Sequence, residues 1–355
     1  MTKIIGLDIG GANTKYALID TDKEDSEILM VGSDYFPFWK NNDDYPVYLL
    51  KLKESIEEKF GKIDTVVFVT TAELADCFQT KKEGITTICS YILSVFSSLT
   101  HGPFIYSAKS SFISMKEAPE HWLEVSATNW IVSANFLGLK FPNIIMIDIG
   151  TTTTDIIPIN NGKIVAEGYT DLERLVSNEL VYTGLLRTNI ATILNEVKLA
   201  GKIIPVSSEL FATMGDAYFI QELISSEEFT SETADGKEVS KENALARIAR
   251  IVCADTNQLS ENEIKQIAKQ AIAKQLEVLS QAFQKVQNGY HERYNINPQI
   301  ILMGSGAKPI GISLLRSNGI YDETLIDDLL SKEESISYTA VAVAKLYALT
   351  RSNNL

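Results

Sequence analysis

Apolar runs broken by short polar turns dominate this chain, and two of these runs are related to each other. The run KIIGLDIGGANTKYALI begins at Lys3, and the run NIIMIDIGTTTTDIIPI begins at Asn143, at an offset of 140 residues. Each run predicts a buried strand that ends in Asp-Ile-Gly, a tight turn and a second strand. A period of this length does not fit a solenoid, so the pattern predicts two related halves.

The same apolar pattern predicts further elements of the first half. Residues 16–20 and 28–31 form two strand patterns that we expect to pair across the polar segment TDKEDSE. The pattern at 46–60 is helical, and the run at 63–69 is almost continuously apolar. Such a run is typical of a central strand that is covered on both faces.

In the second half, DIIPI and KIVAEG flank Asn160-Asn161-Gly162, which favours a tight hairpin turn. Ser260 and Glu263 form a capping-box pattern before a long helix. A strand pattern at 299–303 runs into a glycine-rich turn, and an alanine-rich helix is predicted at 338–349.

A chain of 355 residues suits two domains. We place the first at 1–142, with an inserted helical region near 70–130, and the second at 143–355. The helix at 338–349 is a candidate to return to the first domain. Three cysteines, Cys77, Cys89 and Cys253, occur without CxxC or HExxH spacing, which gives zinc no support.

The formal net charge of −14 comes without any block of Lys and Arg. Because phosphate backbones and anionic lipids need clustered cations, we expect neither nucleic acid nor a membrane as partner. A small phosphate-bearing ligand still fits, since backbone amides and a divalent cation can bind it. No stretch approaches the ~18 apolar residues of a membrane span, so we expect a cytoplasmic protein, and a homo-oligomer is left open.

The turn in DIGGANTK, from Asp8 to Lys15, is a candidate phosphate-binding loop. Two glycines let a ligand approach the backbone closely, and freed amides form an anion-binding concavity. The candidate phosphate-binding residues are Gly10, Gly11, Asn13, Thr14 and Lys15. An ordinary glycine-rich hairpin, with Asp8 as its turn-former, is the alternative.

The turn in DIGTTTTD repeats this arrangement with hydroxyl donors. Its candidates are Gly150, Thr151, Thr152 and Thr153, because alternation along a strand prevents all four threonines from facing one ligand. Asp8 and Asp148, each at the end of a buried strand, are candidate ligands of Mg²⁺ or another divalent cation. A third turn, Gly304-Ser305-Gly306, suits another phosphate or a nucleoside.

Three loops of this kind, in this order, resemble the actin-like ATPase superfamily, which includes sugar kinases, Hsp70 and hydantoinase/oxoprolinase proteins. That resemblance implies an α/β protein with a two-domain actin-like (ribonuclease H-like) fold. It also implies a phosphate-binding cleft between the domains and leaves ATP binding open.

A narrower resemblance rests on segments that occur here in one order: DIGGANTK, TTAELADCF, DIGTTTTDIIPI, ELVYTGLLRT, ELFATMGDAY, TADGK and ARIARIVCAD. Together they are similar to the tetrahydromethanopterin-linked C1-transfer pathway proteins, which include the ether-forming synthase of methanofuran biosynthesis. The resemblance implies a transferase that joins an aminomethylfuran, carried as its diphosphate, to the phenol of γ-glutamyltyramine and releases pyrophosphate. An ATP-dependent kinase or hydantoinase-like hydrolase, and a non-enzymatic nucleotide-binding protein, remain the alternatives.

This chemistry needs a group that takes the proton of the phenol. Glu73 and Asp76 follow the predicted strand at 63–69, and strand ends of this kind border ligand crevices. A helix start with Thr71 as its cap is the alternative. Asp155 and Lys15 complete the catalytic candidates, at matching positions of the two related runs.

Thr183 and Arg187 in VYTGLLRT are candidates to bind an anionic group such as the glutamyl carboxylate, and a surface helix with a salt bridge is the alternative. Asp216 is either directed at the site or the buried partner of an arginine. TADGK is also compatible with a simple turn.

Overall fold

The computed structural model describes residues 2–22, 26–331, 334–335 and 337–352. Its first sheet has the order β3-β2-β1-β4-β5-β6. The strands of this sheet are β1 (Lys3–Ile9), β2 (Asn13–Asp20), β3 (Glu27–Tyr35), β4 (Thr65–Thr70), β5 (His101–Tyr106) and β6 (Phe112–Ser114). β1 pairs antiparallel with β2 and parallel with β4, and β4 is buried along its whole length. The central strand predicted near 63–69 is therefore confirmed.

The second sheet has the order β10-β8-β7-β13-β14, and β9 pairs with β8. Its strands are β7 (Ile144–Ile149), β8 (Thr154–Asn160), β9 (Lys163–Ile164), β10 (Leu180–Val181), β13 (Gln299–Met303) and β14 (Thr324–Leu325). β11 (Glu196–Leu199) and β12 (Lys202–Pro205) form a separate hairpin. As in the first sheet, a long antiparallel pair lies beside a parallel neighbour, which confirms the two related halves.

The helices of the first half are α1 (Phe38–Asn41), α2 (Tyr45–Phe60), α3 (Lys81–Phe96), α4 (Trp122–Val125) and α5 (Asn129–Lys140). The second half contains α6 (Asp171–Ser177), α7 (Ile190–Ile193), α8 (Met214–Ile220), α9 (Lys241–Arg250), α10 (Glu261–Tyr294), α11 (Ile312–Ser317) and α12 (Ile326–Leu329). The last helix is α13 (Tyr338–Ser352). α10 begins with the predicted capping box between Ser260 and Glu263. In the described part of the chain, no helix is both long and apolar enough to cross a membrane.

α13 packs on β1, β2 and β4 of the first sheet and against α5. Its alanines at 340, 342 and 344 are fully buried, and their small side chains allow this close approach. The last helix of the chain thus lies on the sheet formed by the first residues.

Two predicted connections between strands, after β8 and after β2, can be compared with the structure. Asn161 and Gly162 both have positive φ, as a two-residue hairpin requires, but β9 ends at Ile164 rather than continuing through KIVAEG. The segment expected to separate β2 from β3 includes residues 23–25, which lie outside the described residues.

Candidate active site between the two halves

The first glycine-rich loop joins β1 to β2 and is held from outside by the segment that follows β3. The Gly10 amide donates to the Asn13 carbonyl at 2.9 Å and closes the turn. The carbonyls of Gly11 and Ala12 accept hydrogen bonds from the amides of Phe38 and Phe36, at 2.8 and 2.9 Å. Within the described residues the amides of Gly11 and Ala12 have no acceptor, so they are available to an anion.

The second loop, between β7 and β8, has the same construction. The Gly150 amide donates to the Thr153 carbonyl at 2.9 Å. The Gly150 carbonyl accepts from the amide of Leu185 at 2.9 Å, and the Thr151 carbonyl accepts from the amide of Arg187 at 2.9 Å. In both halves a later segment of the chain therefore donates hydrogen bonds to the loop carbonyls.

Because Gly184 has no side chain, the segment at 184–187 can approach the second loop closely enough to donate these hydrogen bonds. A Cβ at this position would lie 2.6 Å from the Gly150 carbonyl oxygen and 2.7 Å from the Thr152 nitrogen, which no side chain tolerates. The segment VYTGLLRT therefore supports the second loop, a role that its sequence pattern does not reveal. It forms no helix after β10, so the alternative of a surface helix is wrong.

Thr14 and Thr154 occupy matching positions, and both point into their own half. The Thr14 hydroxyl is 3.1 Å from the Tyr45 hydroxyl, and the Thr154 hydroxyl donates to the Thr183 carbonyl at 2.8 Å. Thr14 is 1% exposed, so its predicted contact with phosphate is not supported by the structure. Thr151, Thr152 and Thr153 lie on the loop itself and are partly exposed.

Asp8 and Asp148 end the two central strands, opposite Lys15 and Asp155 of the neighbouring strands. Burial raises the pKa of both aspartates, and Lys15 lowers both. The charges of Asp155 and Asp8 help to raise the pKa of Asp148, to about 7. Asp8, Asp148 and Lys15 therefore interact across the two halves.

Lys15 offsets the raised pKa of the two aspartates only in part, and buried carboxylates are costly unless cations pair with them. Among the described residues, no cluster of three or more His, Cys, Asp and Glu side chains is close enough to hold a metal by itself. The pair Asp8 and Asp148 thus fits a cation that takes its other ligands from phosphate and water, as Mg²⁺ does.

The third turn, at Gly304-Ser305-Gly306, lies directly against the end of β7, where the second loop begins. Gly304 has a φ of +83°, and a Cβ there would overlap the Asp148 carboxylate. The Gly306 amide donates to the Ile149 carbonyl at 2.8 Å. The turn continues through a π-helical segment (Ala307–Gly311) into α11.

Glu73 lies in a short 3₁₀ turn (Ala72–Leu74) directly after β4. Its side chain is 1% exposed, and within the described residues its Oε2 atom has no hydrogen-bond partner. Burial raises its pKa to about 7, against the opposing charge of Lys81. Thr71 makes no side-chain cap, so the alternative of a capped helix start is wrong, and Asp76 is exposed.

Asp155 is ion-paired with the buried guanidinium of Arg174, which lies 4.2 Å from the ring centroid of Trp130. Burial raises the pKa of Asp155 and Arg174 lowers it. Because the ion pair occupies its carboxylate, Asp155 is not a free base, and we withdraw it from the candidates for that role.

Asp171, at the start of α6, extends this charged group toward the first half. It accepts a hydrogen bond from Lys81 Nζ at 2.8 Å and lies 3.7 Å from Arg174 Nη1. Lys81 and Asp171 both act on the pKa of Glu73. Glu73, Lys81, Asp171, Arg174 and Asp155 therefore form one charged cluster, which single motifs did not predict.

The family model for hydantoinase/oxoprolinase proteins matches residues 64–348. The chain belongs to this family. A relative from Methanocaldococcus jannaschii is 34% identical over 97% of both chains and is named (4-{4-[2-(gamma-L-glutamylamino)ethyl]phenoxymethyl}furan-2-yl)methanamine synthase. A Methanococcus vannielii protein of the same name is 34% identical over 58% of this chain and 90% of its own.

Among solved structures, nucleotide-free acetone carboxylase matches this family member with a TM-score of 0.57 at 10% identity. The match covers 96% of this chain and 70% of that chain, and it shows the fold alone. The predicted two-domain actin-like α/β fold is confirmed.

The two candidate substrate residues of this hydantoinase/oxoprolinase protein lie in different surroundings. The Thr183 hydroxyl is 3.1 Å from that of Thr188 and accepts from Gln275 at 2.7 Å, so this buried group is structural rather than substrate-binding. Arg187 is exposed, and its guanidinium lies 5.3 Å from the ring centroid of Trp39 in the other half. It therefore stays a candidate beside the second loop.

Three other segments quoted in the sequence analysis contact one another through a buried arginine, Arg247, and two aspartates. Arg247 donates to Asp216 Oδ1 from Nε at 2.9 Å and from Nη2 at 2.7 Å, and its Nη1 donates to Asp235 at 3.1 Å. Asp216 is thus the buried partner of an arginine, which was one of the two expectations. The segments ELFATMGDAY, TADGK and ARIARIVCAD join one another here rather than a ligand.

Proposed function

We propose that this chain is a transferase that forms an ether between a furanylmethyl diphosphate and the phenol of γ-glutamyltyramine. The phenol oxygen bonds to the furan methylene carbon, the carbon–oxygen bond to the diphosphate breaks, and pyrophosphate leaves with that electron pair. The observation that supports the proposal most is the pair of matched loops, each led by an aspartate, in a chain whose relatives bear the name of this ether synthase.

The loops suit a diphosphate leaving group. The free amides of Gly11 and Ala12 in one loop, and those of the threonine loop opposite, can share its oxygens, and Lys15 adds a positive charge. Donors placed where negative charge grows lower the barrier to departure. A divalent cation held by Asp8 and Asp148 supplies further charge neutralisation when it is bound.

Two neighbouring groups complete this part of the proposal. Arg187 belongs to the segment that supports the second loop, so we assign it to the diphosphate rather than to the glutamyl carboxylate. The turn Gly304-Ser305-Gly306 lies against the same loop and is proposed to bound the other side of the diphosphate.

Glu73 is the proposed acceptor of the phenol proton. A phenol has a pKa near ~10, and a base whose own pKa is about 7 is about half ionised at neutral pH, so the ionised fraction can accept the proton that the phenol loses. Its unpartnered oxygen is available for this transfer. The exposed carboxylate of Asp76, three residues along the chain, is the alternative base.

The test incubates the purified protein with Mg²⁺, the aminomethylfuran diphosphate and γ-glutamyltyramine. We expect an ether product, identified by mass spectrometry, and one pyrophosphate for each ether. Asp8→Asn and Asp148→Asn should each lower the rate by at least about a hundredfold, as expected when leaving-group stabilisation is lost. Turnover of ATP against another acceptor, with no ether formed, would favour a kinase instead.

A further inference from the structure

A cavity of about 820 Å³ lies between the two halves, apart from the glycine-rich loops. The first half lines it with Lys109, Leu123 and Asn135, and the second half with Lys163, Ile164 and Tyr169, among others. A volume of this size is in the range of small-molecule sites. None of the loop residues considered above lines it.

One wall of this cavity is continuous with the charged cluster around Glu73. Thr170 lines the cavity, and the next residue, Asp171, binds Lys81 beside Glu73. The ring centroid of Tyr169, another lining residue, is 6.5 Å from that of Trp130. The Trp130 ring in turn contacts the Arg174 guanidinium. The cavity lining at Tyr169 and Thr170 therefore continues into the charged cluster that contains the proposed base.

The lining combines apolar surface with charges of both signs. Leu123, Ile164 and the Tyr169 ring are apolar, and Lys109 is paired with Glu124 at 2.8 Å. Lys163 is exposed and has no ion-pair partner among the described residues. An elongated molecule with an aromatic ring at one end and an α-amino acid group at the other matches this lining.

We propose that the cavity binds the γ-glutamyl end of the phenolic acceptor and that Lys163 pairs with its carboxylate. The aromatic end passes along Tyr169 toward the charged cluster. This inference rests on the proposed function and deepens it, since it gives the acceptor a site separate from the diphosphate loops.

The chain contains a matched control for Lys163. Lys163 follows Gly162 at the start of the second strand of a hairpin, and Lys202 follows Gly201 in the same way on the separate hairpin of β11 and β12. The two glycines have φ values of +73° and +76°, and both lysines are exposed. Lys163→Glu and Lys202→Glu thus make the same charge change in the same local backbone.

The experiment compares the two variants with γ-glutamyltyramine and with tyramine, which lacks the carboxylate. Lys163→Glu should raise KM for γ-glutamyltyramine roughly tenfold, the effect of a lost charge-assisted contact, and leave KM for the furan diphosphate unchanged. KM for tyramine should change little, and Lys202→Glu should match the wild type. Ether formation with an unchanged KM in Lys163→Glu would overturn the cavity assignment and leave the proposed function standing.

Calorimetric titration of γ-glutamyltyramine tests the cavity without turnover. Binding to the wild type that Lys163→Glu weakens and Lys202→Glu does not weaken would support the site even if no ether forms. Equal binding by both variants, or none by the wild type, would overturn it.

Discussion

Burial of the Glu73 side chain raises the pKa of its carboxyl group, which suits the proton transfer proposed for this residue. Desolvation disfavours its charged form, and one of its oxygens has no partner within the described residues. Asp155 also experiences desolvation, but its ion pair with Arg174 opposes the effect and occupies the carboxylate. We therefore propose different roles for these two buried carboxyls, because only one has a cationic partner in direct contact.

Glu73→Gln is expected to lower kcat by roughly a hundredfold or more, as loss of a general base does. Because the carboxyl pKa is raised to about 7, wild-type activity should rise with pH through that value as the base loses its proton. The pH dependence of kcat in the wild type and the variant measures this.

Asp76→Asn is the matched control, since Asp76 is exposed on the same segment. The variant should keep the wild-type rate and the ionisation near pH 7. A profile unchanged by Glu73→Gln, with activity lost in Asp76→Asn, would reverse the assignment of the base.

At the scale of elements, each loop depends on a segment that comes later in the chain. Residues 36–38 hold the carbonyls of the first loop, and residues 184–187 hold those of the second. The strand pairs themselves could be predicted because alternation and the Asp-Ile-Gly repeat are local. The supports could not, since Gly184 acts through a tertiary contact that leaves no periodic pattern.

Gly184→Ala should displace the support of the second loop and weaken binding of pyrophosphate with Mg²⁺ by about tenfold or more. The reason is that its Cβ would lie 2.6 Å from the Gly150 carbonyl oxygen. Titration calorimetry with pyrophosphate measures the change.

Gly289→Ala provides the comparison, because a Cβ there meets only Arg293 Nη2, at 3.8 Å. This helical substitution should leave binding unchanged and add up to about 1 kcal/mol to the free energy of unfolding. Equal affinity in both variants would show that the support of the second loop is dispensable.

The ion pair between Asp155 on β8 and Arg174 on α6 joins two elements of the second half. Arg174→Met should reduce the free energy of unfolding by roughly 3–5 kcal/mol, because it leaves a buried aspartate without its partner. Adding Asp155→Asn should recover part of this loss, as measured by urea unfolding of both variants. A double variant less stable than Arg174→Met would contradict the pairing.

At the scale of the whole molecule, the two halves meet on more than one side of the cleft. Lys81 pairs with Asp171 near Glu73, and Lys40 pairs with Glu232 at 2.6 Å near the stacked Trp39 and Arg187. Exposed pairs such as Lys40 and Glu232 add little stability, so we do not expect this pair to hold the halves together.

The sequence predicts those parts of the site whose residues lie close together in the chain, and it does not predict contacts between residues far apart in the chain. The internal repeat predicted both loops and their aspartates, because the residues concerned are close in sequence. From their motifs, Thr14 and Thr183 were assigned to ligand binding and Asp155 to catalysis. In the structure these residues contact Tyr45, Gln275 and Arg174 respectively, all distant in the chain.

The most direct test of the proposed ether-forming reaction follows the phenol oxygen. γ-Glutamyltyramine labelled with ¹⁸O at the phenol is incubated with the furan diphosphate, Mg²⁺ and the protein. The products are then separated, and mass spectrometry determines which of them contain ¹⁸O. The proposed reaction predicts that the label stays in the ether and that the pyrophosphate is unlabelled, because the phenol attacks carbon. Label in a phosphorylated tyramine, formed by attack on phosphorus with no ether, would contradict it.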